Sequence, residues 1–388
     1  MYKILTLNNI RAAGLERLPR ELYEVASEFQ HPDGLLLRSY NLHDWPVPGS
    51  LLAIGRAGAG VNNIPVAEMT KRGIVVFNAP GANANAVKEL VLAGMLLAAR
   101  NLCPAWEYVR GLRGSDDELE QLVEAGKKRF AGFELPGRTL GVIGLGAIGV
   151  RVANAAEALG MRVVGFDPHI TVNNAWRLSA RVEQVRSVAE LLAQSDFATV
   201  HVPMNDATRH LLNADRLSRA KSGLTLLNFA RAEVVEQEAV LAALNEQRLH
   251  AYVCDFPNNA MLGHERVIAL PHLGASTVEA EENCAIMVAE QMRAYLEHGT
   301  IRHSVNFPEM DMPRSEGCRL LVINDNVPHM IERITTAIAR LDINIVDLLN
   351  RSRGEIACTL IDVDCPLPPS VLDEIGAVTG VLRVRLID

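Results

Sequence analysis

A glycine-rich turn between two apolar runs constrains the fold of this chain more than any other feature. The segment 139–143 has the apolar character of a buried strand, the turn occupies 144–149, and 150–159 has the pattern of a helix. A second apolar run, 161–166, follows and ends at Asp167. This order of strand, glycine turn, helix, strand and acid is that of a dinucleotide-binding unit. We therefore expect an open, doubly wound α/β sheet of the Rossmann type.

Each glycine of this turn has a separate physical role. Gly144 permits the tight turn, Gly146 lets the backbone approach a pyrophosphate, and Gly149 lets the helix pack close to the strand. The amino end of the helix attracts the negative charge. A carboxylate at Asp167 accepts hydrogen bonds from ribose hydroxyls and repels a 2′-phosphate, which favours NAD over NADP. The predicted cofactor contacts in the turn are Gly144, Gly146, Ala147, Ile148 and Gly149.

The late position of the turn predicts another domain before it. The dinucleotide unit begins only near residue 139, and a chain of 388 residues with 49% apolar residues is expected to form about two or three domains. In the preceding region, the short apolar runs 35–37, 51–54 and 74–77 predict buried parallel strands separated by helical segments.

The alternation of strands and helices continues after the turn. Apolar runs at 197–202, 224–229, 252–255 and 267–270 predict further strands, which gives a sheet of about six strands. In such sheets ligands bind at the carboxyl ends of the strands. The residues that directly follow these runs are therefore the candidates for chemistry.

The last part of the chain has a different pattern. A polar segment broken by proline, 309–316, predicts a linker. Beyond it, 318–388 predicts the order strand, helix, strand, strand, helix, strand, which is that of a ferredoxin-like domain. This domain is expected to be a separate module without the chemistry.

Composition excludes several classes of function. The net charge of −8 and the pI near 5.8 argue against a nucleic-acid-binding surface. No apolar run is long enough to span a membrane, and the first residues predict a strand and not a signal peptide, so a cytoplasmic protein is expected. The six cysteines are scattered without a CxxC pair, so neither disulfides nor a metal site are expected.

Two residues at predicted strand ends have the chemistry of hydride transfer. Arg231 follows the run 224–229, where a guanidinium can hold a carboxylate through two parallel bonds and stabilise a developing alkoxide. His272 follows the run 267–270 and can move the hydroxyl proton that accompanies hydride transfer. A surface ion pair for the arginine and a helix-capping role for the histidine remain open on position alone.

Three further residues allow two interpretations each. Pro203 and Thr208 lie at and just beyond another predicted strand end, where they either contact the cofactor or form the loop. Arg56 lies in a glycine-rich segment after the run 51–54, where it suits a carboxylate or phosphate and is equally compatible with a solvated turn.

Taken together, these motifs resemble the D-2-hydroxyacid dehydrogenase family, in particular its branch that acts on 3-phosphoglycerate and carries a carboxyl-terminal ACT domain. The resemblance covers essentially the whole chain. It implies NAD-dependent oxidation of 3-phosphoglycerate to 3-phosphohydroxypyruvate, the first step of serine biosynthesis. The stretches that carry it are GRAGAGVNNI at 55–64, FNAP at 77–80, LGVIGLGAIG at 140–149, Arg231, PHLGAST at 271–277 and SVNFP at 304–308.

The resemblance also implies a domain order and a set of site residues. A flavodoxin-like substrate domain, split into 1–85 and 271–308, would enclose an NAD-binding domain at 86–270, with an ACT-like regulatory domain at 317–388. Arg231 would hold the substrate carboxylate and His272 would be the acid/base. Arg56 and Asn83 would face the substrate. The cofactor cleft would be lined by Asp167, Pro203, Thr208, Ala230 and Asp255.

The sequence departs from the family where a glutamate normally orients the catalytic histidine. The segment 254–260 contains no glutamate, and Asn259 lies near the expected position. Either Asp255 or Glu265 is expected to replace it, or the histidine works without a carboxylate, so Asp255 is a third catalytic candidate. Lys88 stands where the family usually has alanine, which makes it a candidate phosphate contact or a solvated lysine.

The regulatory domain and the assembly are also expectations from the resemblance. His329 stands where the effector loop of the family has glycine, so binding of serine or another amino-acid effector is an open hypothesis at this stage. The long apolar helices predict a homodimer or homotetramer. Two alternative functions remain at this stage: a dehydrogenase for another small D-2-hydroxy acid, and a non-catalytic NAD-sensing protein of the same fold.

Overall fold

The computed structural model of the chain describes residues 1–387. It divides into two compact units: Met1–Asn83 and the chain from Val278 onward form unit 1, and Ala84–Thr277 form unit 2. No helix in the described part is both long and apolar enough to cross a membrane. Within residues 1–387, no three His, Cys, Asp or Glu side chains are grouped so that they could hold a metal ion.

The first part of unit 1 is a parallel sheet of five strands. Its elements are β1 (Tyr2–Leu7), α1 (Ala12–Leu15), β2 (Tyr23–Ala26), β3 (Gly34–Leu37), β4 (Ala53–Arg56), α2 (Val66–Lys71) and β5 (Val75–Phe77). The strand order is β2-β1-β3-β4-β5. All four residues of β3 are buried, which explains its continuous apolar run, because both faces of a parallel sheet are covered. Strand β4 begins later than the predicted 51–54, so that Arg56 is its last residue.

Unit 2 contains the glycine turn. Its helices are α3 (Ala84–Ala99), α4 (Leu102–Gly111), α5 (Asp116–Gly126), α6 (Ala147–Ala158), α7 (Val172–Arg177), α8 (Val188–Gln194), α9 (Ala214–Ser218) and α10 (Gln237–Asn245), with short 3₁₀ helices at Lys127–Phe130 and Ala232–Val234. Its strands are β6 (Thr139–Ile143), β7 (Arg162–Phe166), β8 (Glu183–Gln184), β9 (Phe197–Val200), β10 (Leu224–Asn228), β11 (Leu249–Cys254) and β12 (Val267–Ala269).

The strands of unit 2 form one parallel sheet in the order β12-β11-β10-β9-β6-β7-β8. The predicted Rossmann-type fold is therefore confirmed, with one strand more than the expected six. The additional strand, β8, has two exposed polar residues at the sheet edge, and so short a polar segment has no apolar periodicity to detect. The strand before the glycine turn, β6, is central, and all five of its residues are buried.

The carboxyl-terminal part of unit 1 begins with a long helix and continues into an antiparallel sheet. The elements are α11 (Val278–His298), β13 (Cys318–Asp325), α12 (Met330–Ala339), β14 (Ile345–Arg353), β15 (Ile356–Val363), α13 (Pro369–Gly376) and β16 (Val381–Ile387). The sheet order β14-β15-β13-β16 confirms the predicted ferredoxin-like pattern. We refer to residues 317–387 as the C-terminal module.

Both faces of this antiparallel sheet are buried. One face packs on α12 and α13, through residues such as Ile334 and Val371. On the other face, Leu321 and Leu360 belong to the same core as Tyr295 of α11 and the first sheet of unit 1. The sequence predicted a separate module, but the module shares its core with the rest of unit 1. The reason is that the apolar run of β13 supplies buried side chains to both faces.

Arginines fix this module to the last turn of α11. Arg385 donates to the carbonyl oxygen of Tyr295 at 3.1 Å, and Arg319 donates to that of His298 at 3.0 Å. The last carbonyls of a helix have no partner within the helix, and cations are favourable there. Arg319 is 1% exposed and also forms a two-pronged pair with Asp362, at 2.6 and 2.8 Å. Burial by itself raises the pKa of Asp362, but the hydrogen bonds from Arg319 hold that pKa below its ordinary value.

Candidate active site

The glycine turn in unit 2 forms a cradle that is open on one side. Gly144 has a φ of +90°, and a Cβ on Gly149 would lie 1.9 Å from the carbonyl oxygen of Gly144. Neither position tolerates a side chain. A Cβ on Gly146 would meet nothing within 4 Å, so the chain borders open space there. Close packing beside an opening is what a pyrophosphate requires, so the turn fits a dinucleotide.

The helix after the turn begins without a side-chain cap. Its N-cap is Gly146, and Ala147 and Ile148 form the start of its first turn. The first N–H groups of a helix have no intrahelical partner and attract anions. The predicted contacts Ala147 and Ile148 therefore lie at a helix terminus suited to a phosphate.

Asp167 follows β7 and is fixed by the backbone on both sides. Its Oδ2 accepts a hydrogen bond from the N–H of Leu145, and its Oδ1 accepts one from the N–H of His169, both at 2.8 Å. Each carboxylate oxygen can accept more than one hydrogen bond. The acid is thus held rigidly beside the glycine turn, with acceptor capacity left for a ribose.

Thr208 and Pro203 belong to one turn. The Thr208 hydroxyl donates to the carbonyl oxygen of Pro203, and it accepts from the N–H of Asn205 at 2.9 Å. These bonds favour the loop-forming interpretation of Thr208. Just before the turn, burial lowers the pKa of His201 to about 3, so this imidazole is neutral at physiological pH.

Arg231 lies in a short loop that is held by a buried amide. The Nδ2 group of Asn228 donates to the carbonyl oxygen of Arg231 at 2.9 Å, and its Oδ1 accepts from the N–H of Ala230 at 3.1 Å. The half-buried Arg231 donates from Nη1 to the carbonyl oxygen of Ala230 at 2.6 Å. The sequence reasoning missed Asn228. A polar residue inside the apolar run 224–229, next to its last residue, was the signal available.

The loop with His272 is held in a comparable way by Asp255. This carboxylate is 2% exposed, and its two oxygens accept from the N–H groups of Leu273 and Gly274, each at 2.8 Å. The N–H of His272 donates to the carbonyl oxygen of Asp255 at 3.2 Å. These bonds tie the loop to β11, and unit 2 accordingly extends to Thr277 where the sequence reasoning placed a boundary at 270.

The His272 side chain is exposed and packs edge-on against the ring of Phe256, with 5.0 Å between ring centroids. Its φ of +54° is a left-handed conformation that is rare for histidine. Among the described residues, no side chain forms a hydrogen bond with the imidazole. Asp255 is bound to backbone N–H groups, and the Glu265 side chain is 86% exposed. Asn259 is exposed as well. Neither acid thus replaces the family glutamate by direct contact.

In unit 1, Arg56 is the last residue of β4 and belongs to a group of arginines that also includes Arg38, after β3, and Arg11, at the start of α1. Its Nε donates to the carbonyl oxygen of Arg38, which directly follows β3, at 3.0 Å. Arg38 pairs with Glu281 at 2.6 Å, and Arg11 donates to the same carboxylate at 2.7 Å. Burial raises the pKa of Glu281, but the bonds from Arg11 and Arg38 hold it below its ordinary value. We call Arg11, Arg38 and Arg56 the arginine cluster.

Sequence reasoning found Arg56 and missed the other two members of this cluster. Arg38 directly follows the apolar run 35–37, so its position at a strand end was a usable signal. Asn83, the other predicted substrate contact in unit 1, is half-buried directly before α3.

Lys88, in unit 2, has partners within its own helix. Its Nζ donates to Asn85 at 2.7 Å and lies 3.6 Å from the carboxylate of Glu89. The side chain is 22% exposed. Lys88 is therefore neither freely solvated nor a lone cation, and its role as a phosphate contact stays a prediction.

Comparison with known proteins places this geometry in a family. Residues 92–274 match the model of the D-isomer specific 2-hydroxyacid dehydrogenase NAD binding domain. The D-3-phosphoglycerate dehydrogenase of Escherichia coli K12 is 32% identical over 402 aligned positions, which cover 98% of this chain and 94% of that protein. The protein of the same name from Haemophilus influenzae is 33% identical, covering 87% and 81% of the two chains. A third relative of that name, from Methanocaldococcus jannaschii, is 39% identical, but this chain spans only 48% of its length.

Solved structures agree in fold. The NAD⁺-bound 3-phosphoglycerate dehydrogenase of Entamoeba histolytica is 25% identical, with a TM-score of 0.62 over 79% of this chain and 98% of that structure. The D-mandelate dehydrogenase of Rhodotorula graminis, at 22% identity and a TM-score of 0.67 over 81% and 99%, has the same fold. The NAD predicted from the glycine turn and Asp167 is confirmed as the cofactor. The chain belongs to the D-isomer-specific 2-hydroxyacid dehydrogenases, and within them to the D-3-phosphoglycerate dehydrogenase family.

Proposed function

We propose that this chain oxidises 3-phosphoglycerate to 3-phosphohydroxypyruvate with NAD, as the first step of serine biosynthesis, and that Arg231 and His272 carry the reaction. One observation supports this assignment most directly. Both residues lie on loops at the carboxyl edge of the sheet that contains the glycine turn, and a buried side chain holds each loop.

In the proposed mechanism Arg231 holds the substrate carboxylate. Among the described residues its guanidinium makes one hydrogen bond, to the carbonyl oxygen of Ala230, so most of its N–H donors remain for the substrate. Two parallel bonds to the carboxylate orient the adjacent C2–OH group. The same positive charge stabilises negative charge that develops on the C2 oxygen.

His272 accepts the proton of the C2 hydroxyl as the carbonyl forms. NAD supplies the acceptor for the hydride that leaves C2, so the alcohol loses one hydride and one proton. The exposed imidazole is within the loop that Asp255 fixes, and this fixed loop sets the position of the base. In the described structure the imidazolium would lack a carboxylate partner, so Asp255 acts through the backbone of the loop.

Within unit 1, the arginine cluster is proposed as the group that binds phosphate. Arg11 and Arg38 share the single carboxylate of Glu281, so these three groups carry a net charge of +1 in a protein whose overall charge is −8. A phosphate monoester is close to a dianion at neutral pH. This local excess of positive charge favours 3-phosphoglycerate over 2-hydroxy acids that have no phosphate. Asn83 and Lys88 are proposed as secondary substrate contacts.

The decisive experiment measures NADH formation with 3-phosphoglycerate, D-lactate and D-glycerate for the wild-type protein, Arg231→Lys and His272→Ala. We expect turnover to be fastest with 3-phosphoglycerate and to fall in both variants. Preference for an unphosphorylated acid would favour the alternative that this is a dehydrogenase for another small D-2-hydroxy acid. Absence of turnover with every 2-hydroxy acid, with NADH still bound, would favour the NAD-sensing alternative.

We further propose that the C-terminal module binds a small amino acid, with serine as the first candidate. A cavity of about 250 Å³ is lined by Asn324, Asn326, Asn350 and His329, among others. Asn324 is 2% exposed, and its Oδ1 has no hydrogen-bond partner among the described residues. His329 also lines the cavity, but its imidazole is 71% exposed and pairs with Glu332.

Serine is therefore expected to lower turnover in the wild-type protein and to lose this effect in Asn326→Ala. Binding of labelled serine to the full chain provides the direct measurement. Unchanged turnover together with no bound label would remove the effector proposal and leave the dehydrogenase proposal intact.

The assembly is proposed to be a homodimer or homotetramer in the cytoplasm. Helix α4 has no buried residue, although it carries the apolar side chains Leu102, Trp106 and Val109, which are 45%, 63% and 54% exposed. An apolar helix face of this kind is typical of an interface between chains. Light scattering of Trp106→Glu against the wild-type protein tests this, with a smaller assembly expected for the variant.

A further inference from the structure

Asn228 is a buried polar side chain at the end of an apolar strand. The other residues of β10 are leucines and Thr225, and Asn228 is 0% exposed. A buried amide requires partners for both its donor and its acceptor. Here both partners lie in the loop that follows: Nδ2 donates to the carbonyl oxygen of Arg231 at 2.9 Å, and Oδ1 accepts from the N–H of Ala230 at 3.1 Å.

The neighbouring strand β11 and the residue after it contact Asn228 from within the sheet. The main-chain carbonyl of Asn228 accepts from the N–H of Asp255 at 3.2 Å. The hydroxyl of Tyr252 lies 3.4 Å from Nδ2, and burial raises the pKa of this tyrosine, so the phenol is neutral. The main chain of Asn228 is therefore held by the sheet, while its side chain binds the loop that follows.

We propose that Asn228 is a positioning residue that sets the backbone direction from which Arg231 presents its guanidinium. This inference rests on the substrate-binding role of Arg231 proposed above. Strand β10 ends at Asn228 and the next 3₁₀ helix begins at Ala232, so little chain separates the anchor from the arginine. A two-pronged bond to a carboxylate depends on orientation, and orientation is lost when the loop loses its anchor.

The chemistry of the loop requires an amide at this position. The loop offers one carbonyl oxygen and one N–H, so its anchor needs one donor and one acceptor. An ionised aspartate has the same shape but only acceptors, and it would place negative charge against the Arg231 carbonyl oxygen. A protonated aspartate again has one donor and one acceptor.

This difference makes Asn228→Asp a pH-dependent test. At neutral pH we expect its KM for 3-phosphoglycerate to rise by about ten-fold or more, while the Kd for NADH stays within about two-fold. The ratio of kcat/KM between the variant and the wild-type protein should rise as the pH falls, because protonation restores the donor. A ratio that does not change with pH would overturn the inference.

Thr225 supplies a matched control in the same strand. It is also buried and polar, but its hydroxyl has no hydrogen-bond partner among the described residues. Thr225→Val should leave the KM and its pH dependence unchanged. If Thr225→Val and Asn228→Asp alter the KM alike, Asn228 is only a packing residue of the strand.

A double-mutant cycle tests whether Asn228 acts through Arg231. The KM of Arg231→Ala with Asn228→Asp should equal that of Arg231→Ala alone, because the anchor has nothing left to position. Additive effects would contradict the inference. Should Asn228→Asp fail to fold, Asn228→Ser serves instead, since its shorter side chain cannot span both partners. Absence of wild-type turnover would overturn the proposed function and this inference together, whereas normal turnover with unaffected variants overturns only the inference.

Discussion

The neighbouring strands β10 and β11 end in similar anchors that differ in one chemical group. Asn228 closes β10 and holds the Arg231 loop with an amide, whereas Asp255 follows β11 and holds the His272 loop with a carboxylate. The first loop offers a carbonyl and an N–H, and the second offers two N–H groups. The anchor in each case is the side chain whose donors and acceptors complement the loop.

This comparison changes the interpretation of Asp255. From sequence it was a candidate to replace the missing glutamate beside His272. In the structure each of its oxygens accepts a hydrogen bond from a backbone N–H and the side chain forms none with the His272 imidazole, so its contacts are comparable to those of Asn228. In the proposed mechanism the two loops still differ in function, because the arginine must only be oriented, whereas the histidine must also gain and lose a proton.

The largest effect is expected from removing His272, the proposed base. His272→Ala should lower kcat by about 10²–10⁴-fold, the usual contribution of general acid–base catalysis, and leave the Kd for NADH unchanged. Steady-state kinetics with 3-phosphoglycerate and fluorescence titration with NADH measure the two quantities. A variant that keeps its kcat would assign the proton transfer to another group.

A third buried anchor, Asp362, sharpens the comparison because its partner is a cation. Arg319→Met leaves this carboxylate buried and unpaired, and the free energy of unfolding should fall by about 3–5 kcal/mol. The pKa of Asp362 is lowered in the folded protein, so the pair contributes stability above the unfolded pKa of about 3.9 and loses it as the pH falls through the folded pKa.

Chemical denaturation as a function of pH measures this prediction. The difference between wild-type and Arg319→Met should be largest at neutral pH and should shrink in acid. A difference that stays constant as the pH is lowered would show that Arg319 stabilises the module by other means, such as its bonds to the carbonyls of His298 and Met312.

Exchanging the anchor of the second loop should have an intermediate effect. Asp255→Asn replaces one acceptor by a donor that faces a backbone N–H, and kcat/KM should fall by about ten-fold to a hundred-fold. Unlike Asn228→Asp, this variant has no side chain that protonation converts back to the required donor and acceptor. Its kcat/KM should therefore not increase in acid. A kcat/KM equal to that of the wild-type protein would contradict the anchoring role of Asp255.

The smallest effect is expected at Thr208, which holds its turn with a hydroxyl near the surface. Thr208→Val removes the bonds to Pro203 and Asn205 and should raise the Kd for NADH by only about two-fold to five-fold. Thr208→Ser retains the hydroxyl and is the matched control. Equal loss in both variants would indicate that the methyl group matters and not the hydroxyl.

The sequence by itself determined the fold class, the cofactor and the placement of Arg231 and His272 at strand ends. These features depend on local patterns: glycines at fixed spacing, apolar runs of strand length, and polar residues directly after them. The strands β6, β7, β10 and β12 were located in this way, within a few residues of their observed bounds.

Only the tertiary structure decided which groups these side chains contact. The backbone partners of Asp255 lie in the loop after β12. Lys88 pairs with side chains of its own helix. The C-terminal module shares a core with the rest of unit 1. The hydrogen-bond partners of a side chain depend on which backbone N–H and C=O groups the folded chain leaves unpaired. Segments that are distant in sequence bring those groups to the side chain. The glycine turn could be recognised from its own residues, whereas the anchors of the two loops required the fold.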